Sequence, residues 1–177
     1  MPHNDTVILV DEQDNPQGIE EKLKAHQMGL LHRAFSVCLL RKHAGTWQVL
    51  LQQRAHGKYH SGGLWTNTCC SHPQSGELTT DAAKRRLNEE MGIVSSLVPV
   101  GSFIYRAELD NQLIEHELDH VLTGVITDEI EIKPNPAEVM NYRWADLASL
   151  SHEIVTHQEH YTAWLKQVID LVASNTP

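Results

Sequence analysis

Residues 79–92 read TTDAAKRRLNEEMG, the clearest helix in the chain. Thr79, Thr80 or Asp81 offers a side-chain cap at its start, and Gly92 supplies the residue that ends a helix in the left-handed conformation. Ala83, Leu87 and Met91 recur every four positions and form one stripe that must be buried against something larger. Upstream, residues 31–54 (LHRAFSVCLLRKHAGTWQVLLQQR) hold two β-rich runs around Gly45, which predicts a hairpin. Residues 7–10 form a short buried strand, residues 11–18 (DEQDNPQG) a turn, and residues 20–26 resume ordered chain. Downstream, residues 96–109 (SLVPVGSFIYRAEL), 113–126 (LIEHELDHVLTGVI) and 138–146 (EVMNYRWAD) read as strands, and residues 153–172 as a terminal helix. Strands, helix, strands, helix define a mixed α/β (α+β) domain, a sheet flanked by helices, with all 177 residues in one domain.

Composition narrows the function. Fourteen Lys and Arg against 23 Asp and Glu leave a formal charge of −9, which argues against nucleic acid and anionic membranes as partners. No apolar run reaches the length of a membrane span, and acidic residues follow the first apolar run so closely that no secretory signal is expected. A cytoplasmic location is expected. Three cysteines, two of them adjacent, suit free thiols rather than a disulfide framework.

Four clusters carry candidate chemistry. Glu89 and Glu90 sit in the last turn of the helix, where acidic charge opposes the macrodipole and suits a cation such as Mg²⁺; taken alone, an i,i+4 lattice with Arg85 and Arg86 is the favoured explanation. Glu115 and Glu117, two apart on a strand, share one face while His116 points to the other, so the two carboxylates repel unless solvated, protonated or bridged by a metal. His26, His32 and His72 have the chemistry to complete such a site, though no local spacing joins them. Residues 55–76 form a long irregular stretch containing Cys69, Cys70 and His72, where a thiol near basic residues would be acidified and reactive, although small buried filler is the usual role of a free cysteine. Nothing local separates Cys69 from Cys70. Lys22, Arg54, Lys58, Arg85 and Arg86 bracket this stretch and together offer the local basic cluster that a diphosphate needs on an acidic protein.

Taken together, EKLKAH (21–26), LHRAFS (31–36), WTNTCCSHP (65–73), RRLNEEMG (85–92), YRAEL (105–109), EHE (115–117) and YTAW (161–164) resemble the type I isopentenyl diphosphate isomerases, a branch of the Nudix superfamily. The helix is similar to a degenerate Nudix box that keeps Glu77, Arg85, Glu89, Glu90 and Gly92 but has Ser71 where Gly opens the box and Arg86 where Glu follows the arginine. The resemblance implies a Nudix-type fold and interconversion of isopentenyl and dimethylallyl diphosphate in isoprenoid biosynthesis, through protonation, a tertiary carbocation and deprotonation. It makes Cys70 the catalytic cysteine, with Cys69 a neighbour that packs, and gives acid–base roles to Cys70 and Glu117 with Tyr105 hydrogen-bonded to the carboxyl. Trp164 on the last helix would face the cation.

The same resemblance places one Mn²⁺ or Zn²⁺ on His26, His32, His72, Glu115 and Glu117. It places Mg²⁺ on Glu90 and the main-chain carbonyl of Cys70, and diphosphate contacts on Lys22, Arg54, Lys58, Arg85 and Arg86. The partner is a small diphosphate, the N-terminal segment and C-terminal helix are expected to close over it, and a monomer or weak dimer is expected. Hydrolysis of a nucleoside diphosphate derivative is the alternative, and a catalytically dead diphosphate-binding module the third reading. Binding alone needs none of Cys70, Tyr105 and Glu117.

Overall fold

A computed structural model describes residues 5–177. Nine strands, β1 (Thr6–Val10), β2 (Pro16–Glu21), β3 (His32–His43), β4 (Thr46–Arg54), β5 (Trp65–Thr66), β6 (Cys69–Ser71), β7 (Val98–Glu108), β8 (Ile114–Ile126) and β9 (Val139–Asp146), form one mixed sheet. Four α-helices join them: α1 (Lys22–Met28), α2 (Thr79–Met91), α3 (Leu147–Thr156) and α4 (Leu165–Ser174).

The sheet is organised around β3. One edge of β3 pairs in parallel with β8 from His32↔Glu117 to Arg41↔Ile126. Its other edge is shared in succession by β1 at His32, β6 at Phe35 to Val37 and β4 at Leu40 to His43. The hairpin about Gly45 is short, with β4 pairing β3 only from Thr46 to Val49 while its opposite edge pairs with β9 from Gln48 to Arg54. Alternation along β3 divides the interior into two cores. Phe35, Val37 and Leu39 pack with Ala82, Ala83, Leu87 and Met91 of α2, while Cys38 and Leu40 pack with Leu150 of α3 and Leu165, Val168 and Ile169 of α4. Truncating a fully buried residue such as Leu87 to alanine removes about 2–5 kcal/mol.

Three local expectations are corrected. Helix α2 is preceded by Leu78 in an extended conformation with no side-chain cap, so neither Thr79, Thr80 nor Asp81 caps it. Gly92 does end it with φ 67°, and a Cβ there would lie 2.8–2.9 Å from Lys133. Residues 11–18 are not all turn, since Pro16 onwards pairs with β1. The terminal helix is broken in two, with Trp164 just before α4 rather than within it. The break follows from tertiary bonds: Thr162 donates its amide to the Trp65 carbonyl at 3.0 Å and its hydroxyl to Thr66 at 2.9 Å, which pins an extended link between the helices. Among the described residues no helix is long and apolar enough to cross a membrane.

Candidate active site

The adjacent cysteines lie in a strand, not a loop. In β6, Val37 opposes Cys69 and Ser36 opposes Cys70, so the two thiols leave opposite faces of the sheet. Cys69 is fully buried on the α2 side, where its Sγ–H donates to Glu90 at 3.3 Å. Cys70 turns to the other face and lines a cleft with Arg54, His72, Glu117 and Trp164. Contrary to the expectation of an acidified thiol, desolvation of the half-buried Cys70, opposed by Arg54 and reinforced by Glu90, Asp119 and Glu117, pushes it up to about 12. The loop reading counted the basic neighbours and missed the desolvation.

Strand register assembles the carboxylates. Glu117 stands beside His32 on β3 and beside Tyr105 on β7, and directly paired residues on one face meet side by side. Tyr105 donates to Glu117 Oε1 at 2.6 Å, and burial, then the surrounding carboxylates, hold its phenol well above the ordinary range. His116 points to the opposite face, where its Nδ1 meets the Gly29 carbonyl at 3.0 Å.

His26, His32, His72, Glu115 and Glu117 each present one ligand atom, all within 4.8 Å of one another. His26 Nδ1 donates to the Lys22 carbonyl at 2.7 Å, one helical turn earlier, and His32 Nδ1 donates to the Leu30 carbonyl at 2.9 Å. These carbonyls keep Nδ1 protonated, which leaves both Nε2 atoms, aimed at Glu115 and Glu117, to carry either a second proton or a bond to a cation. His32 Nε2 is buried without a hydrogen-bond partner, 3.5 and 3.4 Å from the two carboxylates. Three imidazoles and two carboxylates converging in a buried volume lack only positive charge, and a divalent cation fits that donor set. Protons are the substitute: burial opposes charge on His32, yet Glu115 and Glu117 raise it to about 10. Burial also raises Glu115, but the His26, His32 and His60 rings packed around it outweigh that and hold it well below the usual carboxylate range. Cys70 and Glu90 are not among the five ligands. Glu90 instead accepts from Gln52 at 3.2 Å, Cys69 at 3.3 Å and Arg86 at 3.1 Å.

Lys22, Arg54, Lys58, Arg85 and Arg86 all line the same cleft. Lys22 is paired with Asp5 at 2.6 Å, Lys58 with Glu138, and Arg85 with Glu77 at 2.8 Å. Arg86 meets Glu89 at 2.7 Å and Glu90 at 3.1 Å. The lattice on α2 thus exists, with Glu77 the stronger partner of Arg85. Arg54 alone of the five has no carboxylate partner among the described residues; it donates to the His60 carbonyl at 3.1 Å and lies 5.8 Å from the Trp164 ring centroid. Trp164 is buried, and its Nε1 has no partner among the described residues.

Sequence reasoning missed several groups in or near the cleft. Tyr59 Oη lies 3.2 Å from His26 Nε2, His60 Nε2 lies 3.2 Å from Glu115 Oε2, and Asp119, held by Ser36 at 2.7 Å, continues the carboxylate face of β8. For Asp119 the signal was present, since it follows Glu115 and Glu117 at the same period of two. Tyr59 and His60 sit in irregular chain with no periodicity to mark them.

Residues 30–165 match the NUDIX domain. Isopentenyl-diphosphate Delta-isomerase of Photobacterium profundum is 55% identical over 168 residues, covering 94% of this chain and 93% of its own length. That of Pectobacterium atrosepticum is 50% identical over 160 residues, covering 90% and 87%. A Deinococcus radiodurans crystal structure superposes with a TM-score of 0.73 at 17% identity, covering 93% of this chain and 97% of its own, which shows the fold alone.

Proposed function

The chain belongs to the isopentenyl-diphosphate Delta-isomerase family of NUDIX-domain proteins, and from that premise we propose that it interconverts isopentenyl and dimethylallyl diphosphate, an intramolecular shift of a C=C bond serving isoprenoid biosynthesis. The observation that carries the reading is a cleft holding Cys70 and Glu117 together, with Tyr105 donating to Glu117 at 2.6 Å. Moving the double bond requires a proton delivered to the terminal CH₂ and another withdrawn from C2, so two proton-bearing groups must address one C5 unit. Cys70 and Glu117 take these two parts and exchange them in the reverse direction. A thiol held up to about 12 keeps its proton at neutral pH until the substrate is in place.

Protonation leaves a tertiary cation at C3. Trp164, a buried aromatic wall of the cleft, stabilises it by about 2 kcal/mol once water is excluded. Exclusion matters chemically, because water would capture the cation as an alcohol. The N-terminal segment and the C-terminal helix of this single domain, residues 1–177, close over the substrate to provide it.

Lys22, Arg54, Lys58, Arg85 and Arg86 bind the diphosphate, and Arg54, free of a competing carboxylate among the described residues, makes the strongest contact. Glu90 and the Cys70 carbonyl would hold the Mg²⁺ that accompanies the diphosphate. His26, His32, His72, Glu115 and Glu117 would hold one Mn²⁺ or Zn²⁺, whose positive charge would favour the ionised form of Glu117. The protein works in the cytoplasm as a monomer or weak dimer, with neither nucleic acid nor membrane as partner. Hydrolysis of a nucleoside diphosphate derivative is the weaker reading, because Arg86 and Ser71 replace residues of the Nudix box. Incubation with isopentenyl diphosphate and Mg²⁺ decides between them. Dimethylallyl diphosphate should accumulate with no phosphate released from nucleoside diphosphate derivatives. Phosphate release without alkene migration would overturn the isomerase assignment.

A further inference from the structure

His60 is buried, and its Nε2 lies 3.2 Å from Glu115 Oε2. The other oxygen of that carboxylate, Oε1, faces His26 at 2.9 Å and His32 at 3.5 Å. Glu115 is thus held from two sides: one oxygen turned into the five-ligand cluster, the other turned out toward His60. A carboxylate oxygen only accepts, so the His60 proton resides on Nε2, and Nδ1 accepts from Ser61 Oγ at 3.0 Å. That pair of contacts defines both the tautomer and the ring orientation.

The chain around His60 is built to keep the ring there. Ser61 adopts φ 55°, with its amide donating to Asp110 at 3.0 Å, and Asn111 donates to the Tyr59 carbonyl at 3.0 Å. A Cβ on Gly62 would lie 2.7 Å from the His56 carbonyl, so the turn closes only with glycine. The His60 ring also stands edge-on to Trp164 at 5.9 Å and to Tyr59 at 4.5 Å. No such apparatus is needed for a surface histidine.

We propose that His60 is a positioning residue for the metal-binding carboxylate: it anchors the outer oxygen of Glu115 so that the inner oxygen stays aimed at a divalent cation. His60 is not itself one of the five converging ligands. The inference rests on the metal-site reading of His26, His32, His72, Glu115 and Glu117. Outer partners of metal ligands typically contribute about 10–100-fold in affinity.

The test titrates Zn²⁺ against a competing chromophoric chelator with metal-stripped full-length wild type, His60→Gln and His60→Ala, each checked for a cooperative thermal transition. His60→Ala should bind Zn²⁺ about 10–100-fold more weakly with unchanged one-to-one stoichiometry, and His60→Gln, which retains an N–H donor, should recover most of the loss. Wild-type affinity in His60→Ala overturns the positioning role while leaving the metal site standing. Equal weakness in both folded variants also overturns it, because the donor would not be what matters. Failure of the wild type to bind Zn²⁺ or Mn²⁺ at all removes the metal-site reading and the inference with it. Should His60→Ala not fold, His60→Leu, which fills the volume without a donor, takes its place: a loss of about 10–100-fold there with recovery in His60→Gln supports the proposal, and wild-type affinity in His60→Leu overturns it.

Discussion

Two pairs of glutamates end up with opposite neighbours. Glu89 and Glu90 close α2, and Arg85 and Arg86 neutralise them with permanently charged guanidiniums. Glu115 and Glu117 open β8 and meet His26, His32, His60 and His72, whose charge depends on a proton that a metal can replace. The difference is one of chemistry rather than spacing. Arginine leaves a carboxylate satisfied, whereas neutral imidazoles leave it short of positive charge and ready for a cation. Tyr105 adds the second distinction, since Glu117 alone of the four glutamates accepts a phenolic proton.

Substitution tests this contrast most severely. Glu117→Gln should reduce isomerisation of isopentenyl diphosphate by about 10³-fold or more while diphosphate binding survives, and Cys70→Ala should behave alike. Glu89→Gln, exposed and paired on the helix surface, should stay within about threefold; a loss as large as that of Glu117→Gln would erase the distinction between the pairs.

Metal removal comes next. Chelation should lower the thermal midpoint by about 5–10 °C, the shift expected when a ligand present at roughly 100 times its Kd is withdrawn from a chain of this size. Zn²⁺ or Mn²⁺ should restore it. Glu115→Gln should abolish the response and Glu89→Gln preserve it, as read by differential scanning calorimetry.

A smaller effect concerns the thiol beside the β8 pair. With Cys70 pushed up to about 12, its thiolate fraction keeps rising with pH, so alkylation by iodoacetamide should go on accelerating beyond pH 9, where an ordinary cysteine near 8.5 levels off. A plateau below pH 9, read by mass spectrometry at the Cys70 peptide, would mean that the basic residues outweigh burial after all.

The smallest effect lies at the helix. The Arg85 hydrogen bond, opposed by burial, lowers Glu77 from its ordinary 4.5. A depressed carboxylate contributes stability that is present above pH 4.5 and lost as pH falls through the lower folded value. Glu77→Gln should therefore cost less than about 1 kcal/mol near neutral pH and flatten part of the acid-side decline, measured by urea unfolding between pH 3 and 7.

How far the sequence went follows the same division between local and long-range physics. Alternation placed Glu115 and Glu117 on one face, and the spacing of Ala83, Leu87 and Met91 gave α2 its core stripe, because both depend on backbone periods of two and 3.6. The strand register that sets His32 and Tyr105 on either side of Glu117 joins residues far apart in the chain, and only the fold supplies it. Cys69 and Cys70 became distinguishable from the residues alone only if residues 69–71 formed a strand, and their polar surroundings concealed that. The family resemblance named Cys70 where local chemistry did not. Thr162, bonded to Trp65 and Thr66, broke a helix that local propensity would have continued.

In the proposed reaction Cys70 and Glu117 exchange protons with one C5 chain. Proton NMR of isopentenyl diphosphate with the protein and Mg²⁺ in D₂O addresses it directly. The account predicts dimethylallyl signals with deuterium in the newly formed methyl group, and loss of that incorporation in Cys70→Ala and Glu117→Gln. An alkene left unchanged by metal-loaded wild type, or isomerisation at near-normal rate in either variant, would contradict it.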